Sequence, residues 1–149
     1  MRGGIGILAV VVLALVGAGC QSGTTTAAEL KVGDCFDVAP TQDANGDNTT
    51  MNVLTDCAKP HDAEVYLVFD VPVGPNGYPG DEAIGALQQT RCDAAFTTFV
   101  GKDSGLSSYD IDYVRPTAES WASGDRSIAC LIEDGLGGKL TGSAKGTKK

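Results

Sequence analysis

The chain has 149 residues, a formal net charge of −8 and 42% hydrophobic residues, which suits a single globular domain and leaves too little length for two comfortable ones. Its acidic excess argues against nucleic acid as a partner, because binding phosphates needs a basic footprint. With one histidine and no Cys-x-x-Cys pair, it lacks zinc-ligand spacing, and no cofactor motif stands out.

The first stretch has one positive residue, Arg2, followed by a charge-free run from Gly3 to Gly19 that ends at Cys20. A polar Gln-Ser-Gly-Thr-Thr-Thr segment begins immediately after. This is the pattern of a secretory signal, and the small residues before Cys20 are those of a lipoprotein processing site, although Gly17 stands where Leu or Val is usual. Residues 1–19 are therefore expected to be removed. Cys20 becomes the lipidated N-terminus, its thiol and amine carrying acyl chains such as palmitate, held at the outer face of the cytoplasmic membrane. An ordinary signal peptide or a retained anchor is the alternative; the run is at the lower limit of what spans a bilayer and is diluted by glycines. Either reading exports the remainder. Removing Arg2 with the signal leaves ten basic against nineteen acidic residues, a net charge of −9.

Residues 20–29 read as a flexible Ser/Gly/Thr/Ala tether, with the fold beginning near Leu30. Val32 to Val38 is a predicted strand carrying Cys35. Met51 to Cys57 alternates with a period of two and forms a second. Between them, Asn45-Gly46 is a hairpin-turn dipeptide. The hairpin brings Cys35 towards Cys57. In the same loop Asp43, Asn45 and Asp47 imitate the start of a calcium loop, but Asn48 and Leu54 occupy the positions that need glycine and a bidentate acid, so no metal site is expected. Asn48-Thr49-Thr50 matches a glycosylation acceptor and suggests an exposed loop.

Pro60 should turn the chain into Val65 to Val73, a central strand with Val65, Leu67, Phe69 and Val71 on one face and Tyr66, Val68 and Asp70 on the other. Pro72 to Gly80 is loop. Asp81 to Val100 is the one convincing helix, capped by Asp81, closed by Gly101, with Ile84, Leu87, Cys92, Ala95, Phe96 and Phe99 on its buried stripe. Ser107 to Val114 and Arg126 to Glu133 are further strands. Cys130 faces inward there, and so pairs with Cys92. Four cysteines remain after Cys20, an even number in an exported chain, and the expected disulfides are Cys35–Cys57 and Cys92–Cys130. The predicted class is α+β, with one helix on an antiparallel sheet of about five strands. Residues 147–149 form a basic tail, expected to be solvated.

Asp34-Cys35-Phe36, Cys57 with Pro60-His61-Asp62-Ala63-Glu64-Val65, Cys92, Trp121 with Gly124-Asp125-Arg126, and Cys130 together resemble the septum-formation family of actinobacterial envelope proteins. The resemblance runs from about Leu30 to Gly146. It implies an envelope protein associated with formation of the division septum, lipid-anchored or tethered, with no catalytic residues to carry over. It also implies that Leu140 to Gly146 packs on the domain.

His61 beside Asp62 is the one acid–base candidate at neutral pH, yet neighbours in a strand point to opposite faces and no Gly-x-Ser-x-Gly elbow accompanies them. The expectation is a non-enzymatic module in the membrane through Cys20, binding an envelope protein or wall polymer through His61, Asp62, Trp121, Asp125 and Arg126 or the Pro72–Gly80 loop. The alternative is a hydrolase of envelope glycans acting through paired carboxylates.

Overall fold

The computed structural model describes residues 27–41, 48–54, 56–74 and 77–149. The predicted signal, Cys20, the tether up to residue 26, the Asn45-Gly46 turn and the calcium-like residues Asp43, Asn45 and Asp47 lie outside the described residues. The architecture is α+β. Strands β1 (Cys35–Thr41), β2 (Asn48–Leu54), β3 (Ala63–Asp70), β4 (Tyr109–Val114) and β5 (Ser127–Asp134) form one antiparallel sheet in the order β2-β1-β3-β5-β4. Strands β1, β3, β4 and β5 contribute side chains to the core. A long helix α1 (Asp81–Val100) covers one face, and a short helix α2 (Ala118–Ala122) precedes β5.

Helix α1 has the predicted bounds. Its buried positions, Ile84, Gln88, Cys92, Phe96 and Val100, recur every four residues, while Leu87, Ala95 and Phe99 flank them half-buried. Gly80, and not Asp81, is the N-cap; no side chain caps the helix there, and Asp81 instead contributes negative charge to the first turn. Gly101 closes the helix in the left-handed region at φ 83°, donating its N–H to Thr97 O. Cys92 thereby faces β5, which turns Ile128, Cys130 and Ile132 towards the helix, and the Cys92–Cys130 disulfide joins them across a Cα separation of 5.7 Å.

Strand β3 is central, but its alternation is not the simple one expected. The ladder shifts between Val65 and Leu67. This bulge puts Val65 with Phe36 and Leu131 on the far face, whereas Tyr66, Phe69 and Val71 pack beneath α1. The first disulfide also forms differently from a directly paired hairpin. Cys35 lies opposite Leu54, and the chain turns after β2 to bring Cys57 back to Cys35 at a Cα separation of 5.3 Å. The acceptor-like Asn48-Thr49-Thr50 belongs to β2, opposite Thr41 to Ala39, and not to a loop.

Two ends of the chain, read as tether and tail, are part of the packing. Ala27, placed in the tether from sequence, is buried with Leu30 against Ala63, Ala129 and Leu131. The C-terminal segment from Lys139 returns across the domain: Gly142 N–H donates to Cys57 O, Gly146 N–H to Phe99 O and Lys148 N–H to Val100 O. Leu140 and Ala144 enter the helix-side core. Residues 147–149 therefore keep exposed side chains on a backbone that is fastened down.

Candidate functional site

The residues singled out from sequence fall at opposite ends of the sheet. His61 and Asp62 precede β3, whereas Trp121, Asp125 and Arg126 precede β5, which runs antiparallel to it. Eight residues of strand separate the two groups, about 26 Å at 3.3 Å per residue. They do not form one site.

At the first end, His61 is wholly buried. Its backbone exchanges two hydrogen bonds with Leu140, at 3.0 and 2.8 Å, and its Nδ1 lies 2.8 Å from Lys59 O. It is consequently a fastening point for the C-terminal segment and presents no surface to a partner. Asp62 is half-buried. One carboxylate oxygen accepts Val38 N–H at 2.7 Å; the other meets Lys139 Nζ at 2.7 Å, and Lys139 also reaches Asp37 at 2.6 Å. Partial burial pulls the Asp62 carboxyl upwards, but the hydrogen bonds from Lys139 and Val38 outweigh it and hold the group below its ordinary value.

Beside this cluster, the carboxylate of Glu64 is buried in the core, a residue that sequence reasoning passed over. Ser143 Oγ donates to one oxygen at 2.5 Å and Ala144 N–H to the other at 2.6 Å. Such charge-assisted bonds let a carboxylate sit in the core. Glu64 also lies with Cys35 and Cys57 in a set of donors within 4.8 Å of one another, but both sulfurs are committed to the disulfide and are not available to a metal.

At the second end, Thr117 and Ser120 form a reciprocal capping box that starts α2, a helix too short to leave a periodic signal. It carries Trp121, which is 5% exposed. Tyr78 packs edge-on at 5.7 Å, and the Arg126 guanidinium lies 3.8 Å from the ring centroid while donating to Trp121 O at 2.6 Å. Asp125 accepts from Ser120 Oγ and Ser127 N–H at 3.1 and 3.2 Å. These three residues knit α2 and the Tyr78 loop to β5. Trp121 therefore fills the core and is not the exposed partner-binding aromatic expected from sequence, and Asp125 and Arg126 are half-buried around it.

The far face of the sheet ends in carboxylates. Asp110 lies opposite Glu133 and Asp112 opposite Leu131. Burial, followed by repulsion from Asp112, Asp62 and Asp110, pushes the Glu133 carboxyl above its ordinary value.

Comparison with known proteins places the chain in a family. The family described as "Septum formation" matches residues 17–130. Two curated relatives, each named "Putative lipoprotein LppN", from Mycobacterium tuberculosis (strain ATCC 25618 / H37Rv) and Mycobacterium bovis (strain ATCC BAA-935 / AF2122/97), are each 31% identical over 125 residues, covering 82% of this chain and 66% of the relative. The chain thus spans just under two thirds of their length. No solved structure matches it. Neither the family description nor the relatives' names mention hydrolysis. Among the described residues, no helix is long and apolar enough to cross a membrane.

Proposed function

Because the chain belongs to the septum-formation family, we propose that it is a lipid-anchored, extracytoplasmic interaction module of the cell envelope that contributes to division-septum formation without catalysis of its own. The observation that carries this reading is the joint match: a septum-formation family over residues 17–130 and relatives named as lipoproteins over 82% of the chain. The polar residues that could have suggested an acid–base centre support it, since His61 and Glu64 are both buried and engaged in fastening the C-terminal segment. Two acyl chains on Cys20 would give stable anchoring where one gives only marginal binding. The short tether would then hold the domain close to the membrane surface.

The test is made in the producing cell with a fluorescent fusion to the full chain. Wild type is expected in the membrane fraction and concentrated at septa, and Cys20→Ala is expected to be released. Unchanged retention of Cys20→Ala would remove the lipid anchor from the proposal; uniform distribution of the wild type around the envelope would remove the septal role.

A further inference from the structure

Strand β4 is one of the two edges of the sheet. Ser108 O accepts from Gly135 N–H, so the even-numbered residues turn their backbone groups towards β5, and Tyr109, Ile111 and Tyr113 turn theirs outward. The outward N–H groups at the strand ends are taken up locally, Tyr109 N–H by Ser107 Oγ at 3.1 Å and Tyr113 N–H by Asp112 Oδ1 at 2.8 Å. Ile111 at the centre is left facing outward. A groove of about 450 Å³ runs between this edge and α1, lined by Gly85, Gln88, Cys92, Asp93, Ile111 and Tyr113. Gly85 leaves it room. Gln88 is 6% exposed, and its buried Oε1 has no hydrogen-bond partner among the described residues, an arrangement that is unfavourable unless a ligand supplies a donor.

The two faces of β4 define what fits. Ile111 and Tyr113 face the groove, and Asp110 and Asp112 face the other side, both exposed. The stretch Tyr109-Asp110-Ile111-Asp112-Tyr113 reads the same in both directions. Antiparallel pairing with a second copy centred on Ile111 would therefore set Asp110 against Asp112 twice, an arrangement of like charges that destabilises a sheet. A strand with Lys or Arg at alternate positions meets the opposite situation. It would also relieve the repulsion felt by Glu133 behind them.

We propose that the β4 edge accepts an extended cationic segment of a partner protein as an added strand, with alternate Lys or Arg side chains over Asp110 and Asp112 and hydroxyl-bearing or small side chains in the α1 groove, one donating to Gln88 Oε1. This deepens the interaction-module reading and rests on it. The binding test below needs neither the lipid anchor nor septal placement, so the two stand or fall separately.

The probes are three capped, fluorescently labelled heptapeptides of alternating residues: Lys/Thr, Lys/Val and Glu/Thr. They are titrated against the full chain in detergent at low salt, following anisotropy, with amide shifts read by NMR. Lys/Thr is expected to bind roughly tenfold tighter than Glu/Thr, from two charge pairs whose sign is reversed, and to shift Ile111 and its neighbours. Asp110→Lys with Asp112→Lys should invert that preference. Gln88→Leu should abolish the preference for Lys/Thr over Lys/Val, while its melting curve confirms that the fold survives. Equal binding of Lys/Thr and Glu/Thr, no binding of any peptide, shifts confined to residues away from β4 and α1, or self-association of the chain through β4 would each overturn the proposal.

Discussion

On the face beneath α1, the sheet meets a helix, a disulfide and the returning C-terminal segment, and the buried apolar side chains there run from Tyr66 to Ala144, with Gln88, Glu64 and His61 as buried polar neighbours. On the opposite face, Phe36, Val65 and Leu131 are covered by the short turn around Ala27 and Leu30, and the surface then passes into Asp110, Asp112 and Glu133. The same strands thus bury apolar side chains on both faces, but only the far face also carries this run of carboxylates. Apolar area buried under α1 is what resists unfolding, whereas the carboxylates contribute little to stability and much to what can approach.

The comparison can be broken most directly by emptying the helix-side core. Phe96→Ala should cost about 3–5 kcal/mol in denaturant unfolding, because Phe96 is wholly buried. A loss below about 1 kcal/mol would mean that the helix is not the main cover. Replacing both Cys92 and Cys130 by Ala should cost about 2–4 kcal/mol. Its closed segment spans a separation of 38 residues against 22 for Cys35–Cys57, so the loop-entropy relation makes it the costlier loss by about 0.5 kcal/mol. Melting of the two double variants decides the order. Ser143→Ala, which removes one donor to the buried Glu64 carboxylate, should cost about 1–3 kcal/mol and speed amide exchange at Ala144, whereas a Leu140–Gly146 segment that did not fasten to the domain would leave both unchanged.

Two carboxyls on the open side sharpen the contrast through pH. The Asp62 carboxyl is lowered in the folded state, so its contribution is present above its unfolded value and lost as pH falls through the folded one. Asp62→Asn should therefore lower the melting temperature at neutral pH and converge with wild type only in acid, as pH falls through the lowered folded value. Glu133 is raised and has the opposite sign: ionisation is penalised in the fold, and the penalty vanishes as pH falls through the folded value. Glu133→Gln should raise the neutral melting temperature and make no difference in acid. The smallest effect belongs to Leu136→Ser, at a residue 96% exposed in the turn after β5, with an expected change within about 0.5 kcal/mol. That turn depends instead on Gly135, where a Cβ would sit 2.8 Å from Ser108 O.

Much of this architecture was legible in the chain because its causes are local. A 20-residue apolar stripe specified α1 with its bounds, alternating runs specified β4 and β5, and inward-facing cysteines on a helix and a strand specified their bond. Local pattern also held two signals that went unread: Gln88 interrupts the apolar stripe four residues after Ile84, and Glu64 stands immediately before the apolar run that begins at Val65. A polar residue at a core position marks a site where tertiary structure must provide a partner. Glu64 has one in Ser143 and Ala144, while Gln88 Oε1 has none among the described residues.

By itself, then, the sequence determined the long helix, the main strands, the class and the family, since periodicity, turn residues and cysteine parity act over a few residues or through composition. Tertiary structure alone decided that His61 and Trp121 are internal fastenings at opposite ends of the sheet, that a bulge reverses the faces of β3, and that residues 139–149 close over the Cys35–Cys57 end. Each of these depends on contacts between residues far apart in the chain, such as Glu64 with Ser143, whose energy no local pattern records.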